Sequence, residues 1–513
     1  MDVIFWGSLL RVIQATVEAA PTILVGLVVA GIFHRLVGRD SVRRLFGVGS
    51  WRGLPQAWAI GMLLPVCSLG VIPIARELRK TGIAGGVILA FAMTAPLFNP
   101  LSLLYGLTLS EPFVIFAFAM CSLLVVTVVG ALWDRIFPNS SHDEELDAHV
   151  PYGWKRMAAV GVSACRELAG PTGVYILIGL LGVALLSAVL PPGGLQLAVE
   201  HDDPWAPLTM AFIAVPAFAT PMLAMSQLGS MFSHANSVGA GFALLALGAG
   251  MNVGLIAWMF RGYGFVKAAT WMVILFAVVV GLSYAVEEPL HPHDVEPAGH
   301  SHAFDIYCSP FHHHSTNPYG MFISAIEQNI RIDQLYSAAG LGLVLVCGCV
   351  LQIADRGRRV ERWLERSPAV SSSGSRRFDF VVPGKVVGGV ALVGLIAFSI
   401  LGCYAYYPPK DDAFADMSKL NVTVVASSIS GNRQEAEHFI PVIDDYTRRM
   451  QVGVYLREGE LSRYRRMKAK VYLDKLELLE HELAHDDDPE GVRKLAWSVD
   501  LAYRRMRQAY NVQ

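Results

Sequence analysis

Charge is scarce in this sequence of 513 residues. Asp, Glu, Lys and Arg make up only 16% of it, whereas 53% of the residues are hydrophobic. A soluble globular domain carries about a quarter charged residues, so this chain has too little polar surface for a simple soluble enzyme. The formal net charge of −2 provides no dominant basic face, and we therefore expect no nucleic-acid partner.

Other common patterns are also missing. The sequence has no Gly-x-x-x-x-Gly-Lys-Ser/Thr run, which argues against ATP-driven pumping by this chain. Its seven cysteines fall mostly in apolar segments, so a disulfide framework is not expected. No nucleophile–base pair stands out either, and we expect neither an enzyme nor a resident cofactor.

Long apolar runs make up much of the chain. A helix that crosses a bilayer needs about 20 apolar residues, and the sequence predicts full spans at 12–34, 83–109, 113–134, 171–190, 239–260, 266–286, 335–354 and 386–404. Two further runs, 55–75 and 205–230, contain paired prolines. Because proline removes a helix donor and kinks the chain, these runs are predicted to be broken or re-entrant helices. The expected fold is an all-α polytopic membrane protein.

An internal repeat is visible at one offset. Gly86 and Gly239, and likewise Asn99 and Asn252, are identical residues 153 positions apart. Each half, about 10–134 and 168–286, reads as a span, a broken element and two spans. The distribution of Lys and Arg gives the halves opposite orientations under the positive-inside rule. Inverted repeats are typical of secondary transporters that bind substrate near the membrane midplane.

Three regions follow the predicted permease core, 1–286. Residues 287–334 form a His-rich extracytoplasmic loop, and 335–404 supply two additional spans joined by a basic cytoplasmic loop. Residues 408–513 are richly charged and have helical period, which predicts a soluble helical hairpin. We expect the protein in the inner (plasma) membrane, with this last domain outside the cytoplasm. A homo-oligomer formed through this domain stays an open alternative.

Polar and flexible residues stand at the two predicted helix breaks and recur on the spans that follow them. An unwound segment is tolerated inside a membrane only where it lines a cavity, so these residues are the candidate substrate-binding set. The set comprises Cys67, Ser68, Gly70, Pro73, Thr94, Pro96, Asn99, Pro100, Pro216, Pro221 and Asn252. Cys67 is alternatively a small packed residue, and the two asparagines are alternatively helix-to-helix hydrogen-bonding groups.

Residues 67–100 resemble the motifs of a known family. Cys67-Ser68-Leu69-Gly70-Val71-Ile72-Pro73 is similar to a Cys-Ser-Cys-Gly-x-Ile-Pro-like motif, and Pro96-Leu97-Phe98-Asn99-Pro100 to a Pro-x-x-Asn-Pro-like motif. These motifs belong to the predicted permeases that include the trivalent organoarsenical efflux permeases (ArsP type), and the resemblance extends over about residues 10–265. It implies efflux of a small, thiophilic solute. Leu69 stands where the family commonly has a second cysteine, and arsenic(III) gains most from paired thiolates.

Glu18 lies inside the first predicted span. A carboxylate in a bilayer is costly and normally faces a cavity or a partner, so Glu18 is the candidate carrier of a coupling proton. The alternative is a position at the membrane interface, because Arg11 and Gln14 also make this end polar.

The extracytoplasmic loop is rich in imidazole groups, which bind Zn²⁺, Cu²⁺ or Ni²⁺. The candidate metal ligands are His291, His293, His300, His302, His312, His313 and His314. Two further functions therefore stay open beside the permease. One is a divalent-metal transporter fed by this loop, and the other is a membrane-anchored scaffold that acts through 408–513.

Overall fold

The computed structural model describes residues 2–47, 52–110, 112–138, 154–195, 199–200, 203–291, 302–311, 317–329, 332–366, 383–485 and 488–511. This part of the chain contains helices and no strands. Six of the helices are long and apolar enough to cross a membrane, and one bent pair of helices meets the same test jointly. The protein is an all-α polytopic membrane protein, as the composition predicted.

The first half of the core contains seven α-helices. They are α1 (Asp2–Ile32), α2 (Arg39–Leu45), α3 (Gly53–Leu63), α4 (Val71–Lys80), α5 (Gly85–Thr94), α6 (Pro100–Leu109) and α7 (Pro112–Ile136). A π-helical turn, Phe33–Val37, extends α1.

The second half also contains seven α-helices. They are α8 (Lys155–Ala169), α9 (Pro171–Val189), α10 (Ala206–Ala217), α11 (Pro221–Ser233), α12 (Val238–Ala243), α13 (Val253–Tyr263) and α14 (Phe265–Leu290). A π-helical segment, Leu244–Ala249, continues α12.

A 3₁₀ turn and eight α-helices complete the described chain. They are the turn His302–Tyr307, then α15 (Pro318–Asn329), α16 (Ile332–Ala354), α17 (Arg359–Glu365), α18 (Gly384–Tyr406), α19 (Lys410–Ser430), α20 (Arg433–Glu458), α21 (Arg463–His485) and α22 (Pro489–Ala509).

The helix boundaries repeat along the chain. Helices α3, α5, α6 and α7 each begin 153 residues before the helix that corresponds to them in the second half, namely α10, α12, α13 and α14. A chance similarity of apolar residues would not reproduce four helix starts in one register. The boundaries therefore support the internal repeat that the identical residues indicated.

A partly buried carboxylate contact recurs at the same offset. Asp134 Oδ1 accepts a hydrogen bond from the backbone N–H of Gly86 at 2.8 Å. In the second half, Glu287 Oε2 accepts one from the N–H of Gly239 at 2.7 Å. Each carboxylate satisfies an amide in the first turn of a helix, where no intrahelical partner exists.

Two predicted full spans are interrupted. The expected span 83–109 consists of α5 and α6, and the expected span 239–260 consists of α12 with its π-helical segment and α13, bent by 57° at the break. Ten helical residues extend about 15 Å, half of the hydrocarbon thickness. The prediction of continuous spans was wrong here, because the mean hydropathy of each run stays high across its break. The break in the first run falls at Pro96 and Asn99, and the break in the second falls at Gly250 and Asn252.

The remaining span predictions agree with the structure. The spans expected at 113–134, 171–190, 266–286, 335–354 and 386–404 are confirmed as single helices, and α1 begins earlier than predicted, at Asp2. Runs 55–75 and 205–230 are confirmed as broken helices. Below, the first break is 64–70, the second break 95–99, the third break 218–220 and the fourth break 250–252.

A second compact unit comprises residues 104–112 and 399–513. Here α19, α20, α21 and α22 enclose one apolar core, so the charged segment forms four helices rather than a single hairpin. The inward face of α19 includes polar residues such as Asn421 and Ser427. This polarity weakens the apolar period by which a helix is recognised in a sequence.

Candidate functional site

The first break packs directly against α1. A Cβ atom at Gly26 would overlap the backbone carbonyl of Gly70, so only glycine permits this approach. The backbone N–H of Gly70 donates to Cys67 Sγ at 3.4 Å, and Cys67 is fully buried. Ser68 Oγ is also buried and has no hydrogen-bond partner among the described residues. The break therefore presents one unused hydroxyl inside the bundle.

The two asparagines cap helices. Asn99 Oδ1 accepts a hydrogen bond from the N–H of Ser102, and Asn252 Oδ1 accepts one from the N–H of Leu255, both at 2.8 Å. These are N-cap contacts, which satisfy the amides that a helix start leaves free. The side-chain amide of Asn252 remains buried without a partner in the described part of the chain. Capping is thus one role of both residues, and Asn252 keeps a donor for a second.

The breaks lie close to one another around α9. The space beside Gly179 is filled by the side chains of Leu69 from the first break and Asn252 from the fourth. A Cβ atom at Gly250 would lie 3.1 Å from the side chain of Leu97, which belongs to the second break. The first, second and fourth breaks therefore lie next to one another in the buried interior.

The third break joins this region through the backbone. The N–H of Ala219 donates to the carbonyl of Gly248 at 3.0 Å. Phe218 has a φ of 47°, a left-handed conformation that bulky residues seldom adopt. Pro221 begins α11, where its missing N–H costs nothing. This local geometry turns the buried side chain of Thr220, the residue before Pro221, toward the interior.

Thr220 is the partner of Glu18. Its hydroxyl donates a hydrogen bond to Glu18 Oε1 and also accepts one from the N–H of Leu223 at 3.2 Å. Both side chains line a small, partly open cavity of about 20 Å³. Glu18, partly buried, thus faces both a cavity and a polar partner, as expected for a carboxylate inside a span.

A loop segment closes one wall of this cavity. Arg11 donates to the backbone carbonyls of Asp305 at 2.7 Å and Cys308 at 3.1 Å. The hydroxyl of Tyr307, which also lines the cavity, donates to Gln227 Oε1 at 2.9 Å. The 3₁₀ turn is therefore held in place from two helices, α1 and α11.

Several predicted site residues lie at helix ends or breaks and offer no free polar group. Pro73 lies in the first turn of α4, Pro100 begins α6, and Pro216 lies at the end of α10. Thr94 donates its hydroxyl to the carbonyl of Ala90 at 2.6 Å. Pro96 lies in the second break.

Sequence reasoning missed Thr220, Arg11 and Tyr307. One signal in the sequence could have found Thr220, because it lies 153 positions after Cys67. In the structure, each of these two side chains accepts a hydrogen bond from the backbone N–H three residues later. Arg11 and Tyr307 have no such signal, since their roles depend on how a distant loop folds onto α1.

The metal prediction lies almost wholly outside the described residues. This applies to His293, His300, His312, His313 and His314 and to the side chain of His302. His291 ends α14 as its C-cap. The described part of the chain contains no group of three metal-ligating side chains. Metal capture by this loop stays a prediction.

A bundle of membrane helices broken at four places, with a partly buried carboxylate beside one of the breaks, is typical of a transporter. The chain belongs to the ArsP_1 family, described as "Predicted permease", whose profile matches residues 7–288. It is 26% identical over 279 residues to the "UPF0718 protein YcgR" of Bacillus subtilis (strain 168), a match that covers 53% of this chain and 93% of that protein. No solved structure matches the chain. Family and fold both indicate a membrane permease.

Proposed function

We propose that this protein is a secondary-active permease that exports a small solute by alternating access between its two repeats, with Glu18 as the carrier of the coupling proton. The observation that carries the proposal is the hydrogen bond between Glu18, on α1 of the first repeat, and Thr220, in the third break of the second repeat. A titratable group at a contact between repeats can couple its protonation to their relative movement.

The chemistry of the pair fits this role. A hydroxyl donates to an ionised carboxylate and accepts from a protonated one, so Thr220 can hydrogen-bond to both states of Glu18. The competing donor for Thr220 is only a backbone N–H of its own helix. Proton uptake would therefore change the charge in the cavity without leaving Glu18 unpaired.

The substrate class follows from the groups at the breaks. Cys67 supplies one thiol, whereas Ser68 Oγ and Asn252 Nδ2 are polar atoms without partners in the described chain. One soft ligand and two neutral polar groups fit a small uncharged solute with a thiophilic centre, such as a trivalent organoarsenical. The family resemblance supports the same class.

The test is flux through purified protein in liposomes, with phenylarsine oxide as the probe and an imposed pH gradient. Glu18→Gln should abolish gradient-driven flux but retain exchange of the probe at equal pH, because the amide cannot release a proton. Glu288→Gln is the matched control, since this exposed residue lies outside the cavity. Gradient-driven flux that survives Glu18→Gln would rule out the proposed coupling. Zn²⁺ flux without phenylarsine oxide flux would favour the metal transporter instead.

A further inference from the structure

The start of α21 is strongly basic. Residues 463–473 contain five basic side chains and no acidic one, and the acidic residues of this helix begin at Asp474. The five are Arg463, Arg465, Arg466, Lys468 and Lys470. The whole chain has nearly equal numbers of basic and acidic residues, so this helix start is a local concentration of positive charge.

Large apolar side chains are exposed on the same three turns. Tyr464 is 57% exposed, Met467 44% and Val471 41%. They are spaced by three and four residues, which places them on one stripe of the helix. The opposite side of the helix, with Ala469 and Tyr472, packs into the core of the unit. Nothing in the described part of the unit covers the exposed stripe.

The basic residues flank this stripe. At 100° per residue, Arg463 and Lys470 lie on one side of it and Lys468 on the other. The ammonium of Lys468 is 5.3 Å from the ring centroid of Tyr464. An apolar, aromatic stripe between two rows of cations is the arrangement of helices that lie in a membrane interface.

Contacts within this unit place the stripe near a membrane-spanning helix. Helix α18 is a candidate span whose last residue is Tyr406. Arg457 donates to the backbone carbonyls of Tyr404 and Tyr407, both at 2.8 Å. The next residue, Glu458, pairs with Lys410 at 2.9 Å and also with Arg465. The first turn of α21 thus lies at the end of the unit where α18 enters it.

We propose that this stripe, residues 463–471, docks onto the membrane surface and binds the headgroups of anionic phospholipids. The cations would contact the phosphates, while Tyr464 and Met467 enter the boundary between headgroups and acyl chains. The partner is a lipid surface rather than a second protein, because the chain itself delivers this helix to the point where α18 leaves the bilayer.

The test measures how accessible Met467 is in proteoliposomes. The full chain with Met467→Cys is reconstituted in pure phosphatidylcholine or in a mixture with 30% phosphatidylglycerol, and an impermeant polymer-linked maleimide is added. The unsubstituted chain gives the background from the native cysteines. Labelling should be at least about threefold slower in the anionic vesicles, and 0.5 M salt should remove the difference.

Two variants make the result specific. Arg463→Glu with Lys470→Glu, added to Met467→Cys, should label at the same rate in both lipids. Trp497→Cys, at an exposed position on α22, should be indifferent to the lipid. Equal labelling of Met467→Cys in both lipids would overturn the proposal. Protection that follows protein density in both lipids would also overturn it and assign the stripe to a second copy of the chain.

Discussion

Asp134 holds the backbone N–H of Gly86 at 2.8 Å and thereby joins the last turns of α7 to the first turn of α5. The pair Glu287 and Gly239 makes the equivalent contact in the second repeat. In each repeat, a carboxylate on the last helix therefore accepts a hydrogen bond from a glycine on an earlier helix of the same repeat. The helix dipole strengthens these hydrogen bonds, because the carboxylates contact the first turns of α5 and α12.

The first prediction concerns this glycine. A Cβ atom at Gly86 would overlap the carbonyl oxygen of Gly130, so Gly86→Ala should push α5 away from α7 and destabilise the core by about 1–3 kcal/mol. Thermal unfolding in detergent measures the loss. Gly281→Ala is the control, because a Cβ atom there meets nothing within 4 Å. Equal melting temperatures for the two variants would contradict the close contact.

The second prediction separates the two roles of Asn252. Asn252→Ser keeps a good N-cap oxygen but removes the side-chain amide, whereas Asn252→Ala removes both. The alanine variant should lose about 1 kcal/mol of stability, and the serine variant much less. If the free amide contacts substrate, both variants should lower the flux of phenylarsine oxide about three- to tenfold. Normal flux in Asn252→Ser would leave capping as its role.

The third prediction tests the thiol. Cys67→Ser replaces a soft ligand by a poor one for a thiophilic centre, so flux of phenylarsine oxide should fall about tenfold or more while the amount of folded protein is unchanged. Cys121→Ser serves for comparison, because Cys121 lies on α7 and belongs to none of the four breaks. If Cys67→Ser leaves the flux unchanged while Asn252→Ser lowers it, the result would support the site and exclude an arsenical substrate.

The fourth prediction is a pH dependence in the second unit. Hydrogen bonds from Lys410 and Arg465 lower the pKa of Glu458 below its ordinary value of 4.5. A lowered pKa in the folded state stabilises the contact above about pH 4.5, and this stability is lost as the pH falls through the folded pKa. Glu458→Gln should therefore speed hydrogen exchange at the start of α21 at pH 7.

This effect should be modest and should shrink in acid. Exposed ion pairs contribute less than about 1 kcal/mol, so exchange should rise by no more than about fivefold at pH 7, and the difference from the wild-type rate should be smaller at pH 3. Glu460→Gln provides the control, because this exposed neighbour takes no part in the contact. An equal difference at both pH values would show that the ion pair is not the cause.

The sequence predicted the parts of the fold that depend on local chemistry. Hydropathy located the single spans, and Pro65 and Pro216 marked two of the breaks. Pro96 and Pro100 are a similar signal at the second break, although its run is apolar enough to suggest one span. The fourth break has no proline, because Asn252 ends an apolar run without lowering its mean hydropathy much. The pairing of Glu18 with Thr220 could not be predicted, since the two residues are 202 positions apart and meet only through tertiary packing.

The contact of Gly26 with Gly70 limits how the permease can move. Main chain meets main chain there without an intervening side chain, so no change of rotamer can widen the gap. Helix α1 and the first break should consequently travel together as one rigid body. Two parts of the protein that move past each other need contacts between side chains, which can rearrange. The hydrogen bond between Glu18 and Thr220 is such a contact, and protonation of Glu18 can alter it. In the transport cycle proposed above, the moving boundary should therefore lie between α1 and the third break.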